Sequence, residues 1–100
     1  MVISMLILIA YDISSKDAEG RRRLGKVSKI CSRWGVQVQR SVYECELDAE
    51  EYRELQSELS KVICMETDNV RLYRLGNRFK SRIELLGCSE GRWNRDTYVL

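Results

Sequence analysis

The stretch MVISMLILIAYDIS, residues 1–14, decides how the rest of the chain is read. From Val2 to Ala10 it carries no charge, and only Ser4 interrupts the apolar run before Tyr11-Asp12 ends it. The run does not alternate, so it does not fit a strand with one wetted face. A short, near-continuous apolar run fits a strand covered on both faces at the centre of a sheet. Crossing a bilayer takes about 20 apolar residues, so this segment is too short to be a membrane span. It also lacks the basic leader and small-residue cleavage site of a secretory signal. The reading is a central strand with a carboxylate, Asp12, at its C-terminal end, where layered α/β proteins tend to build sites. The plainer alternative is that Asp12 caps a turn or bonds the backbone of the next loop.

Around that strand, one hundred residues make one small domain. The net charge of +2 is ordinary, but its distribution is not. Three arginines stand together at 21–23, and a second basic group lies at 71–82. Local clusters of this kind are the electrostatic footprint of a polyanionic partner. There are four cysteines, at 31, 45, 64 and 88, with no CxxC spacing, and no histidine. This excludes the usual Cys/His zinc patterns and any mechanism with a histidine base. Cys31, Cys45 and Cys64 sit among apolar positions and read as small core residues. The expected compartment is the reducing cytoplasm.

Past Asp12, residues 13–16 read as a loop, with Ser15 as helix cap and Asp17 and Glu19 in the first turn, where the helix dipole favours acids. Leu24, Val27, Cys31 and Trp34 recur at helical spacing as an apolar stripe. Arg22, Lys26, Lys29 and Arg33 make a second, wholly basic stripe, and no acid interleaves from Arg21 to Arg33. Such a stripe is either a solvated face or a phosphate contact, and the missing i,i+4 acid partners put the two readings on an equal footing. Gly35 ends the helix.

In VQVQRSVYECEL, residues 36–47, the inward phase changes across Gln39-Arg40-Ser41. That predicts two short strands with a turn, or one strand with a bulge. Asp48 and Glu51 form a capping box opening a helix whose buried face is Tyr52, Leu55, Leu59, Val62 and Ile63. Asp68-Asn69 reads as a turn, Val70–Leu75 as a strand, residues 76–82 as a basic loop around Phe79, and Ile83–Leu86 as a further short strand.

The order β-α-β-β-α-β-β predicts an α+β, ferredoxin-like βαββαβ domain over residues 1–87, with an extra C-terminal strand. Its antiparallel sheet carries two helices on one face. The first strand would then be bare on its other face, which predicts a homodimer closed sheet on sheet. The surplus strand at 83–86, and the tail, residues 88–100, through Tyr98-Val99-Leu100, are expected to add to a partner's sheet edge.

The strand ending in Tyr11-Asp12-Ile13, the arginine-rich first helix, Val38-Gln39-Arg40-Ser41-Val42-Tyr43-Glu44-Cys45 and Val70-Arg71-Leu72-Tyr73-Arg74-Leu75-Gly76 occur in a familiar order. Over about residues 5–87 the chain resembles the CRISPR-associated protein 2 family, the small partner of the CRISPR integrase. The resemblance implies a ferredoxin-like homodimer in prokaryotic cytoplasm. It implies a metal-dependent endonuclease, acting on RNA or DNA, that bridges integrase dimers during spacer acquisition. By the same resemblance Asp12 is the ligand for Mg²⁺ or Mn²⁺, one from each protomer, and Tyr11 stands beside it as the second catalytic candidate. Arg21 and Arg23 fall in the family's nucleic-acid-contacting segment. Tyr43 matches a family aromatic, while Arg40 stands where the family often has an aromatic or small residue and is expected to add a phosphate contact. The full set of nucleic-acid candidates is Arg21, Arg22, Arg23, Lys26, Arg40, Arg78 and Lys80.

With no histidine and no evident serine triad, hydrolysis would have to run on a metal. Mg²⁺ binds through one or two carboxylates and keeps several waters. One Asp12 per chain is a poor ligand set, and two across a dimer axis are a minimal one. Two-metal nucleases gather several carboxylates. The scarcity of acids here keeps a second reading open, in which the basic helix and the 74–82 segment track a duplex backbone as a non-catalytic scaffold for the integrase.

Overall fold

The first strand, β1, spans Met5–Asp12 at the centre of the sheet. In the computed structural model, which describes residues 3–88, the elements follow as helix α1 (Ala18–Trp34), strands β2 (Val36–Gln39) and β3 (Val42–Leu47), helix α2 (Ala49–Val62) and strand β4 (Asn69–Gly76). A 3₁₀ turn at Phe79–Arg82 ends the series. The strand order is β2-β3-β1-β4, and every neighbouring pair is antiparallel. This is the expected α+β, ferredoxin-like layout.

Alternation along β1 sorts its side chains. Ile7, Ile9 and Tyr11 point under the helices and join Val27, Ile30 and Cys31 of α1 and Leu55 and Leu59 of α2 in one core. Both helices therefore cover one face. Ile7 and Ile9 are fully buried, each contributing about 2 kcal/mol by area. Leu24, Trp34, Tyr52, Val62 and Ile63 pack around that core, as their helical spacing predicts.

On the opposite face, Leu8, Ala10 and Asp12 of β1 stand in register with Tyr73, Arg71 and Asn69 of β4. This face is not wholly bare. Residues 83–88 return across it and, with Leu8, Val42 and Glu44, enclose a groove of about 380 Å³. The returning segment is not the additional strand expected at 83–86, since only Leu85 makes a bridge. Toward β4 the face stays open, and Tyr73 is 45% exposed. The expected tail strand, Tyr98-Val99-Leu100, lies outside the described residues.

Three local details differ from the sequence reading. Asp17, not Ser15, caps α1, accepting from the Gly20 N–H at 2.8 Å. Gly35 closes α1 in extended backbone rather than a left-handed turn. It is there for space, because a Cβ would collide with the Glu44 carbonyl and the Cys45 sulfur. Between β2 and β3 the chain uses both a turn at Arg40-Ser41 and a bulge between Gln37 and Gln39. No non-glycine residue takes a positive φ among the described residues. Two-residue hairpin turns that match strand twist need positive φ, and a bulge supplies extra twist without it. The capping box of α2 forms as expected, with Asp48 and Glu51 exchanging bonds of 2.8 and 2.9 Å.

Candidate functional site

Asp12 ends β1 with an exposed side chain on the face away from the helices. Tyr11, one residue earlier, points to the other face. Its ring is 8% exposed, and its hydroxyl lies 2.9 Å from the Ser28 Oγ. It stacks on Tyr43 with ring centroids 6.2 Å apart. Burial, partly opposed by the Ser28 bond, raises the Tyr11 pKa above its ordinary value. The structure thus separates the two catalytic candidates. Tyr11 is a core residue tying β1 to α1, because adjacent residues of a strand face opposite ways. Tyr43, 2% exposed, belongs to the same core.

The arginine run divides in the same manner. Arg21 is exposed and makes no ion pair among the described residues. Arg22 is exposed and pairs with Glu19 at 3.2 Å. Arg23 turns inward and gives its Nε to the Asp68 carboxylate at 2.8 Å. Arg23 is therefore a structural anchor rather than the free phosphate contact expected from its place in the run. The basic stripe is likewise not unpaired throughout. Arg33 meets Glu58 on α2, which also accepts from the Trp34 indole at 3.2 Å. Lys26 and Lys29 keep no acid partner among the described residues, and with Ile30, Arg33 and Val62 they rim a hollow of about 620 Å³ along the helices. Arg78 and Lys80 are exposed at the 3₁₀ turn, which is anchored by buried Phe79. Arg40 is exposed at the β2–β3 turn.

Asp68, read from sequence as a turn residue, has a fully buried side chain. Its Oδ1 accepts from the Ser14 N–H at 3.0 Å and the Thr67 hydroxyl at 3.2 Å. Its Oδ2 accepts from the Cys64 N–H and from Arg23 Nε, each at 2.8 Å. Burial alone would push this carboxyl up. The Arg23 guanidinium and the two backbone donors outweigh it and hold the pKa down at about 2. Cys64 and Thr67 are local partners that fit a turn residue, whereas Ser14 and Arg23, the partners that make Asp68 an anchor, are 54 and 45 positions away. With its lone pairs taken, Asp68 has none to offer a cation.

Among the described residues, no three His, Cys, Asp or Glu side chains converge on one point. Glu44 lines the groove on the open face, where burial raises its pKa. Asp12 is an exposed hard-oxygen donor. That suits Mg²⁺, which keeps most of its waters and takes one or two carboxylates. Asp12 fits such an ion as one ligand.

The chain matches known proteins along most of its length. Residues 5–83 match the family described as CRISPR associated protein Cas2. A protein of Halalkalibacterium halodurans named CRISPR-associated endonuclease Cas2 is 43% identical over 84 residues, covering 84% of this chain and 88% of that protein. One of Chlorobaculum tepidum named CRISPR-associated endoribonuclease Cas2 is 36% identical over 96% of this chain and 100% of the relative. The crystal structure of Streptococcus pyogenes Cas2 at pH 6.5 superposes with a TM-score of 0.72 and 37% identity, over 83% of this chain and 100% of that one. No helix among the described residues is long and apolar enough to cross a membrane. The match over residues 5–83, the identities and the shared fold agree: the chain belongs to the CRISPR-associated Cas2 family.

Proposed function

We propose that the chain is a metal-dependent endonuclease of a cytoplasmic CRISPR-Cas system, acting as a homodimer on RNA or DNA. The observation that carries this reading is Asp12, an exposed carboxylate at the end of the central strand, on the face the helices leave open. The names of the relatives from Halalkalibacterium halodurans and Chlorobaculum tepidum, an endonuclease and an endoribonuclease, support the reaction class. A second copy laid on the open face, against Ala10 and the exposed Tyr73 ring, covers apolar surface and brings a second Asp12.

Asp12 from each chain would hold Mg²⁺ or Mn²⁺. Such an ion, when bound, supplies an activated water and charge stabilisation at the phosphate. The chain's own part is to fix that carboxylate and to hold the substrate backbone. Arg21, Lys26, Arg78 and Lys80, all exposed and without an acid partner among the described residues, are the phosphate contacts. Tyr11 positions β1 against α1 and stays out of the reaction.

The test is cleavage of labelled RNA and duplex DNA with Mg²⁺ by the wild type and by Asp12→Ala. Loss of about 100-fold or more is expected, since even the partners of metal ligands are worth roughly 10- to 100-fold. Equal cleavage by both proteins would rule Asp12 out as the site.

The free cations favour a second reading, a duplex-binding scaffold for the CRISPR integrase whose chemistry belongs to that partner. It expects binding that weakens steeply with salt. Replacing Arg21 and Lys26 with Gln should flatten the log affinity against log salt slope by about 2. An unchanged slope would show that α1 does not meet the phosphates.

A further inference from the structure

The backbone that follows Asp12 is held at both of its polar groups. The Ser14 N–H donates to Asp68 Oδ1 at 3.0 Å, and the Ser14 carbonyl accepts from Arg23 Nη2 at 3.4 Å. Ile13, between Asp12 and Ser14, is 6% exposed and locked in the core. Across the sheet, Asp12 pairs with Asn69, the residue directly after Asp68. Gly20, in the first turn of α1, sits so close to this loop that a Cβ would collide with the Ser14 carbonyl oxygen. One buried carboxylate thus joins the loop after β1, the arginine run of α1 and the start of β4 around Asp12.

We propose that Asp68, acting with Arg23, is the positioning residue for Asp12. It fixes the backbone on the C-terminal side of Asp12, while the pairing with Asn69 fixes the carboxylate's height along the sheet. The inference rests on the Asp12 reading of the site and adds what holds that carboxylate still. The need is physical. A lone carboxylate per chain has no neighbouring ligand to align it, and a displacement near 1 Å can cost on the order of 100-fold in rate. Groups behind a ligand do this orienting in metal sites generally. Asp68 suits the task because its side chain is buried and saturated with donors. Arg23 makes the link two-sided, holding the Asp68 carboxylate with one nitrogen and the loop carbonyl with another. The helix that carries exposed Arg21 and Lys26 is thereby tied to the loop beside Asp12.

The experiment compares Asp68→Asn with Leu59→Ala, a core truncation in α2 that lowers stability and removes none of the bonds to Asp68. Both are studied as the full chain, below their unfolding transitions. The first readout is amide hydrogen exchange at Ser14. The second is the Mn²⁺ concentration that half-broadens the Asp12 and Ile13 amide signals. Asp68→Asn is expected to speed Ser14 exchange at least about 10-fold beyond Leu59→Ala and to raise the Mn²⁺ requirement several-fold, by loss of one charged acceptor and its aligned bonds. Leu59→Ala should leave the Mn²⁺ requirement at the wild-type value. The same Ser14 exchange and Mn²⁺ dependence in both variants would overturn the positioning role while leaving Asp12 as the site. Broadening that survives Asp12→Ala would overturn the Asp12 reading itself, and the positioning role with it.

Discussion

Asp12 and Asp68 lie at neighbouring strand ends, because Asp12 pairs with Asn69. Their surroundings are opposite. Asp12 is exposed, and its carboxylate accepts no hydrogen bond among the described residues. Asp68 is buried and accepts from two backbone amides, a hydroxyl and a guanidinium. A small domain thus divides work between two like side chains. A carboxylate that is buried and saturated can only hold structure. One left in water with free lone pairs can take a cation or a substrate.

The two carboxylates should differ most in their effect on stability. Asp68→Ala leaves Arg23 and two backbone N–H groups without their acceptor, and should cost about 3 kcal/mol, as breaking buried pairs does. Asp12→Ala, at an exposed position, should stay within about 0.5 kcal/mol. Urea unfolding of the two variants measures the difference. Similar losses at both sites would mean that the buried cluster adds nothing to the fold.

A smaller effect is expected with pH. The Asp68 carboxyl has a pKa of about 2 when folded against an ordinary value of 3.8. Between those values the unfolded chain binds the extra proton, so stability rises with pH there. The contribution is present above pH 4 and lost as pH falls from about 4 to 2, about 2 kcal/mol in all. Unfolding midpoints across that window should fall for the wild type and much less for Asp68→Asn.

The open face gives a further contrast with the helix-covered one. Ile7 and Ile9 are sealed by two helices, whereas Leu8 and Ala10 remain half-buried beneath a returning segment or beside it. The apolar reading of β1 as covered on both faces is therefore met on one side by the chain's own helices. On the other it is met only in part.

Much of the fold was legible because its signals are local. The uncharged run of β1, the 3.6-residue spacing of Val27, Cys31, Leu55 and Leu59, and the Asp48–Glu51 box each depend on residues a few positions apart. So does the position of Asp12 at a strand end. The roles of Tyr11, Arg23 and Asp68 were not legible in that way. Tyr11 and Asp12 are neighbours in sequence, and only the pleat of the strand sends one into the core and the other to the surface. Arg21 and Arg23 are alike in type, and only the turn of α1 over the loop at Ser14 makes one an anchor.

By itself the sequence determined the order of the first six elements, the helix-facing core and an acid at the end of the first strand, because periodicity and capping act over one or two turns of chain. The tertiary structure alone decided which carboxylate is buried and which is free. The Cys64 and Thr67 donors to Asp68 are local, but the Arg23 guanidinium and the Ser14 N–H that complete its burial are brought to it across 45 and 54 residues of sequence.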